Sequence, residues 1–305
     1  MNHRTSDLGR LRLTSLVWGD VDDVDRPLAV LLHGFPDTAH TWRHLGPALA
    51  GAGYRVVAPF TRGYAPSDIP PDGSYHVPAL MADVLALHRA YDGDERAVLV
   101  GHDWGAITAN GVAASAANPF GAIVALAVPP FSAMNPDRAD LGRWLRILPR
   151  QARLSWYTLF NQLPVLPESA FERLVAHLWR HWSPGHDATE DLAHLRASLP
   201  DGEHRSAAVG YYRAQARPWR LPAAYRVHAR DWVGEPRVPL LYLQGADDGC
   251  LDPRWADRLV GPGADRLPAG SKVVVVEGAG HFLQLEQPEV VNAHVLEHLA
   301  ARGLR

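Results

Sequence analysis

Short apolar runs that stop at turn residues recur along the chain, at 28–32, 55–58, 97–100, 123–128, 240–243 and 273–276. Their lack of polar alternation predicts strands covered on both faces, as in a parallel sheet with helices on each side. Between the second and third runs, Val77, Leu80, Met81, Val84, Leu87 and Tyr91 recur at three- and four-residue spacing, which predicts an amphipathic helix. Strand and helix alternate, so the fold class is α/β with a mostly parallel central sheet.

The alternation stops after Pro129-Pro130. For about a hundred residues the chain is rich in Trp, Arg and Pro, with helical patterning and no strand run. Residues 131–228 are expected to form a helical cap inserted into a core built from 1–130 and 229–305. Strand and helix patterns resume at Val238 and run to a C-terminal helix starting near Pro288, a residue suited to a first helical turn.

Composition narrows the class of protein. The 305 residues are 47% hydrophobic and 21% charged, with a net charge of −3 from intermixed acids and bases, which fits an ordinary globular chain. No basic stripe points to nucleic acid and no basic patch to a membrane surface. The N-terminus has scattered charges and no apolar core, and no run has the length of a membrane span, so a cytoplasmic location is expected. One cysteine, Cys250, excludes an internal disulfide and reads as a small packing residue. A monomer and a homodimer fit the sequence equally.

The candidate chemistry starts at the third run, which leads through Gly101-His102-Asp103-Trp104-Gly105 into a small-residue helix. Glycines two positions either side of Asp103 have the spacing of a nucleophile elbow, a tight turn that lifts the central side chain above the strand ends. Here that side chain is a carboxylate. The plain alternative is an aspartate capping the next helix. His281, in Gly278-Ala279-Gly280-His281-Phe282, follows the last run, and Asp247 and Asp248 follow the fifth. Nucleophile, acid and histidine thus come in the chain order expected of such a site, each just past a strand. His33-Gly34-Phe35-Pro36 follows the first run, where a loop can aim the Phe35 N–H to join that of Trp104 in an oxyanion hole.

Together, His33-Gly34-Phe35-Pro36, Arg62-Gly63-Tyr64, Gly101-His102-Asp103-Trp104-Gly105 and Gly280-His281-Phe282 resemble the epoxide hydrolase branch of the α/β-hydrolase superfamily over nearly the whole chain. The resemblance implies an α/β-hydrolase fold with a cap and a covalent ester on Asp103. It also implies water activated by His281, which Asp248 orients; the family's three-residue step from Gly245 favours Asp248 over Asp247. It further implies two cap tyrosines that protonate the epoxide oxygen. The matching positions are Tyr157 and Tyr212, with Tyr211 as the alternative, because adjacent helical residues cannot both face one pocket. Packing beneath a cap is the plain reading of each tyrosine. Phe35, Trp104 and the two tyrosines are the expected substrate contacts.

A carboxylate displaces leaving groups at saturated carbon, where serine suits acyl carbon. Epoxides and alkyl halides both qualify, and the stabiliser of the leaving group separates them. An alkoxide needs O–H donors; a halide needs N–H donors in a drier pocket. Haloalkane dehalogenases are also similar, in the Asp103-Trp104 pair and a cap whose Trp144, Trp156, Trp179 and Trp182 offer indoles. Phe35, however, stands where many of them carry asparagine. Fluoroacetate-type dehalogenases pair the nucleophile with arginine, not with tryptophan. A non-catalytic small-molecule binder is the third reading, against which the set of Asp103, Asp248 and His281 argues.

No GxGxxG or GxxxxGK[ST] motif calls for a nucleotide cofactor. His177/His181 and His294/His298 have metal-ligand spacing but no glutamate beside the first histidine, and read as solvated helix faces. The expectation is cofactor-free, metal-free chemistry on a small apolar epoxide and water.

Overall fold

The computed structural model describes residues 2–259 and 266–304. Eight strands form one sheet among the described residues. They are β1 (Asn2–Asp7), β2 (Arg12–Trp18), β3 (Leu28–Leu32), β4 (Arg55–Pro59), β5 (Val98–His102), β6 (Ala122–Leu126), β7 (Leu240–Gly245) and β8 (Lys272–Val276). Their order is β1-β2-β4-β3-β5-β6-β7-β8. From β4 to β8 all pairs are parallel, while β1 and β2 run antiparallel at one edge. β3, β4, β5, β6 and β7 are buried along their whole length, which is why their sequences show no polar alternation.

The helices of the sheet are α1 (Leu45–Gly51), α2 (Val77–Ala90) and α3 (Trp104–Ala114) in the first half of the chain. Between β6 and β7 come α4 (Phe131–Met134), α5 (Leu141–Leu154), α6 (Trp156–Phe160), α7 (Leu166–Ser169), α8 (Phe171–Trp182), α9 (Thr189–Ser198) and α10 (Gly202–Gln215). α11 (Leu283–Glu286) and α12 (Pro288–Ala300) close the chain. α2 packs with α3, and α1 with α12, giving a layer on each face of the sheet. On α2 the residues at three- and four-residue spacing, Val77, Leu80, Met81, Val84 and Leu87, are all buried. Arg62, just past β4, is buried and donates twice to Asp83 of α2, at 2.7 and 2.6 Å, fixing that helix to the sheet's C-terminal edge.

The strands β1 and β2 were not legible as strands. β1 is almost wholly exposed and polar, so its pairing with β2 comes from backbone hydrogen bonds rather than from an apolar pattern. Among the described residues no helix is long and apolar enough to cross a membrane.

Candidate active site

Asp103 sits between β5 and α3 with φ 53° and ψ −115°, a conformation that costs a non-glycine residue about 1–3 kcal/mol. The turn is that tight because α3 doubles back onto its own strand: a Cβ on Gly101 would lie 2.1 Å from the Gly105 carbonyl oxygen. The Asp103 side chain makes no capping bond to α3. Instead its Oδ1 accepts a 2.7 Å hydrogen bond from the Phe35 backbone N–H.

The loop that carries Phe35 is held from both sides. The Thr61 N–H donates to His33 Nε2 at 3.0 Å, so the ring proton is on Nδ1, which donates to Gly34 O at 2.9 Å. Burial lowers the His33 pKa to about 4 and keeps the ring neutral in that role. From the helical segment above, the Trp179 indole donates to Pro36 O at 2.8 Å.

Asp248 follows β7 and His281 follows β8, and both are wholly buried. His281 Nδ1 meets Asp248 Oδ2 at 3.0 Å, and its Nε2 lies 3.7 Å from Asp103 Oδ2. Asp248 is locked in place: Oδ1 accepts from the N–H groups of Cys250 and Leu251, and Oδ2 from the Gln244 amide at 2.9 Å. Asp247 is exposed, and its backbone N–H is bonded to Ala279 O. Burial pulls the His281 pKa down, but attraction to Asp248 and Asp103 and the hydrogen bond to Asp248 outweigh it and raise the pKa to about 10. The imidazole therefore rests as a cation between two carboxylates.

A cavity of about 320 Å³ opens above Asp103. Tyr157 and Tyr212 line it with Asp103 and Trp104, and so do Ile107, Val128, Phe131, Met134, Trp232 and Leu251 on its apolar walls. The two tyrosine rings stand 5.5 Å apart, nearly perpendicular. The Tyr212 hydroxyl is buried and, like the Trp104 indole N–H, has no hydrogen-bond partner among the described residues. Burial raises both tyrosine pKa values well above the usual range, with further contributions from Cys250 at Tyr157 and from Asp103 at Tyr212, so both phenols stay protonated. Tyr211 faces away and donates to Arg62 O at 2.8 Å. The Phe35 ring is not among the lining groups and packs edge-on against Tyr212 instead.

Three features were missed or read differently from sequence. Cys250 is buried, and it also lines the cavity with its thiol 3.4 Å from the Tyr157 hydroxyl. Its position two residues past Asp248 on the same loop was the available signal. Gln151, Gln162 and Gln215 add amides to the walls. The His294/His298 pair is not a solvated face, because His298 is buried and its pKa is lowered to about 4 by that burial. His177 and His181 are exposed, with stacked rings.

Residues 27–288 match the α/β hydrolase fold family. The chain is 32% identical to epoxide hydrolase A of Mycobacterium tuberculosis, covering 92% of each chain, and 30% identical to epoxide hydrolase 3 of Siraitia grosvenorii, covering 88% and 90%. Its structure superposes on that of the epoxide hydrolase VrEH1 from Vigna radiata with a TM-score of 0.77 at 25% identity, over 98% of each chain. The chain belongs to the α/β-hydrolase superfamily and, within it, to the epoxide hydrolase branch.

Proposed function

We propose that this chain hydrolyses small, neutral, largely apolar epoxides to vicinal diols, with residues 131–228 serving as a cap over a core of 1–130 and 229–305. The observation that carries the reading is the placement of two protonated phenols, Tyr157 and Tyr212, in one cavity with the Asp103 carboxylate, the only charged group lining it among the described residues.

Asp103 Oδ2, the oxygen that Phe35 leaves free, attacks a ring carbon; the C–O bond breaks, and Tyr157 or Tyr212 protonates the departing oxygen. The resulting ester is neutral, so His281 loses one of the two carboxylates that raised its pKa and passes its proton through water to the tyrosinate. The neutral imidazole, held by Asp248, then takes a proton from water, which attacks the ester carbonyl carbon. Charge develops on Oδ1, already seated on the Phe35 N–H, with the Trp104 N–H as the second donor. The proton taken from water restores the imidazolium, and on collapse the departing alkoxide takes the proton of the new Asp103 carboxyl group, releasing the diol and regenerating the carboxylate.

The dehalogenase reading has one observation in its favour, the unpartnered Trp104 indole N–H. Among the described residues none of Trp144, Trp156, Trp179 and Trp182 lines the cavity, and the indoles of Trp144 and Trp179 are bonded to backbone carbonyls. The phenols of Tyr157 and Tyr212 line the cavity with the indoles of Trp104 and Trp232, and the paired O–H donors suit an alkoxide better than a halide.

His281→Gln tests the sequence of steps. Ring opening should proceed and hydrolysis stall, so that mass spectrometry finds the Asp103 peptide heavier by one substrate. An unmodified peptide with continued diol release contradicts the mechanism.

A further inference from the structure

Cys250 has no part in the reaction just described, yet its thiol faces the reacting groups. One oxygen of Asp103, the Cys250 sulfur and one ring nitrogen of His281 all lie within 4.8 Å of one another. We propose that Asp103, Cys250 and His281 form a binding site for a thiophilic divalent cation, zinc or cadmium, and that its occupation withholds both nucleophile and base. The inference rests on the same constellation as the proposed reaction.

The donor set is well matched to such an ion. Zinc holds nitrogen and oxygen at about 2.0–2.2 Å and sulfur at about 2.3 Å, so tetrahedral ligand atoms stand roughly 3.3–3.8 Å apart. His281 Nε2 and Asp103 Oδ2 are already 3.7 Å apart. His281 Nε2 is fully buried without a hydrogen-bond partner, and its Nδ1 is held by Asp248, the carboxylate–histidine pairing that orients a metal-bound imidazole. Among the described residues the Cys250 sulfur has one hydrogen-bond contact, the long one to Tyr157. Three protein ligands leave a fourth position open to the cavity for water. A sulfur and a nitrogen among the ligands select zinc or cadmium over magnesium or calcium. Binding needs no redox partner: the thiol proton and the Nε2 proton leave to solvent, and the ion's two positive charges are met by a thiolate and a carboxylate.

Cadmium titration of the purified chain, without substrate, tests the site. One equivalent should generate the ultraviolet thiolate-to-cadmium charge-transfer band, zinc should displace it, and magnesium should not. Cys250→Ser should abolish the band and weaken inhibition by zinc at least tenfold. Asp103→Asn, of unchanged size, should keep the band while weakening cadmium binding severalfold, which serves equally if the Cys250 variant fails to fold. A wild-type chain with no band at one equivalent overturns the proposal. So does Cys250→Ser inhibited by zinc as strongly as wild type, which would place the ion on surface histidines such as His177 and His181, or an unchanged affinity in Asp103→Asn. The band is read without turnover, so a chain that hydrolysed no epoxide would still reveal the site.

Discussion

The Phe35 backbone N–H donates to Asp103 Oδ1 at 2.7 Å before any substrate is present. This single bond makes the two oxygens of one carboxylate inequivalent. In the proposed mechanism Oδ2, facing His281, is left to attack, and Oδ1 occupies the place where negative charge would develop in the second step.

The closeness of that approach depends on Gly34. A Cβ there would fall 2.3 Å from Asp103 Oδ1 and 2.7 Å from the Trp104 nitrogen. Gly34→Ala is therefore expected to push the loop off the nucleophile. Hydrolysis of the ester should slow by about 100-fold or more, the usual effect of losing an oxyanion donor. The accompanying loss of stability should be only about 1–3 kcal/mol, as for other overpacked sites. Single-turnover kinetics separate the two half-reactions, and an unchanged hydrolysis rate would contradict the assignment of Phe35.

Tyr157 and Tyr212 are predicted to act on ring opening alone. Each single Phe variant should slow alkylation of Asp103 by roughly 10- to 100-fold, since the other phenol still donates, and the double variant should lose nearly all of it. Tyr211→Phe should leave the rate close to wild type because its hydroxyl is bonded to Arg62 O, outside the cavity. Rapid-mixing measurement of alkylation, followed through active-site tryptophan fluorescence, checks all four variants. A Tyr211 effect equal to that of Tyr212 would reverse the choice between them.

That choice shows where sequence stops informing. The elbow was legible because the tight turn demands glycine two residues before and two after Asp103, and the runs that form β3 to β7 were legible because full burial removes polar alternation, whereas β8 kept its apolar run although Val275 is exposed. Whether Tyr211 or Tyr212 enters the cavity depends on how α10 is rotated about its axis, which the packing of the whole helical segment decides. Asp248 and Asp247 differ in the same way: the loop after β7 turns one under His281 and the other to solvent. Cys250 was read as packing because a single cysteine with no motif around it carries no pattern of its own; only the fold brings it beside Asp103 and His281.

The charge state of His281 couples to stability. Its pKa in the folded chain is raised from 6.5 to about 10, because Asp248 and Asp103 outweigh the burial that opposes the charge. A raised folded-state pKa stabilises fully below the unfolded value and loses its contribution as pH climbs through the folded one. The melting temperature of wild type should therefore fall more steeply between about pH 7 and pH 10 than that of His281→Gln, which has nothing to titrate there. Parallel curves would show that His281 is not held as a cation.

The most direct test of Asp103 as the covalent nucleophile is a single turnover in water labelled with heavy oxygen, with enzyme in excess over epoxide. If Asp103 Oδ2 opens the ring and water attacks the ester carbonyl, the first diol released carries no label and the label appears in the Asp103 peptide. Label in that first diol, with none in the peptide, would mean that water opens the epoxide directly, and would contradict the account.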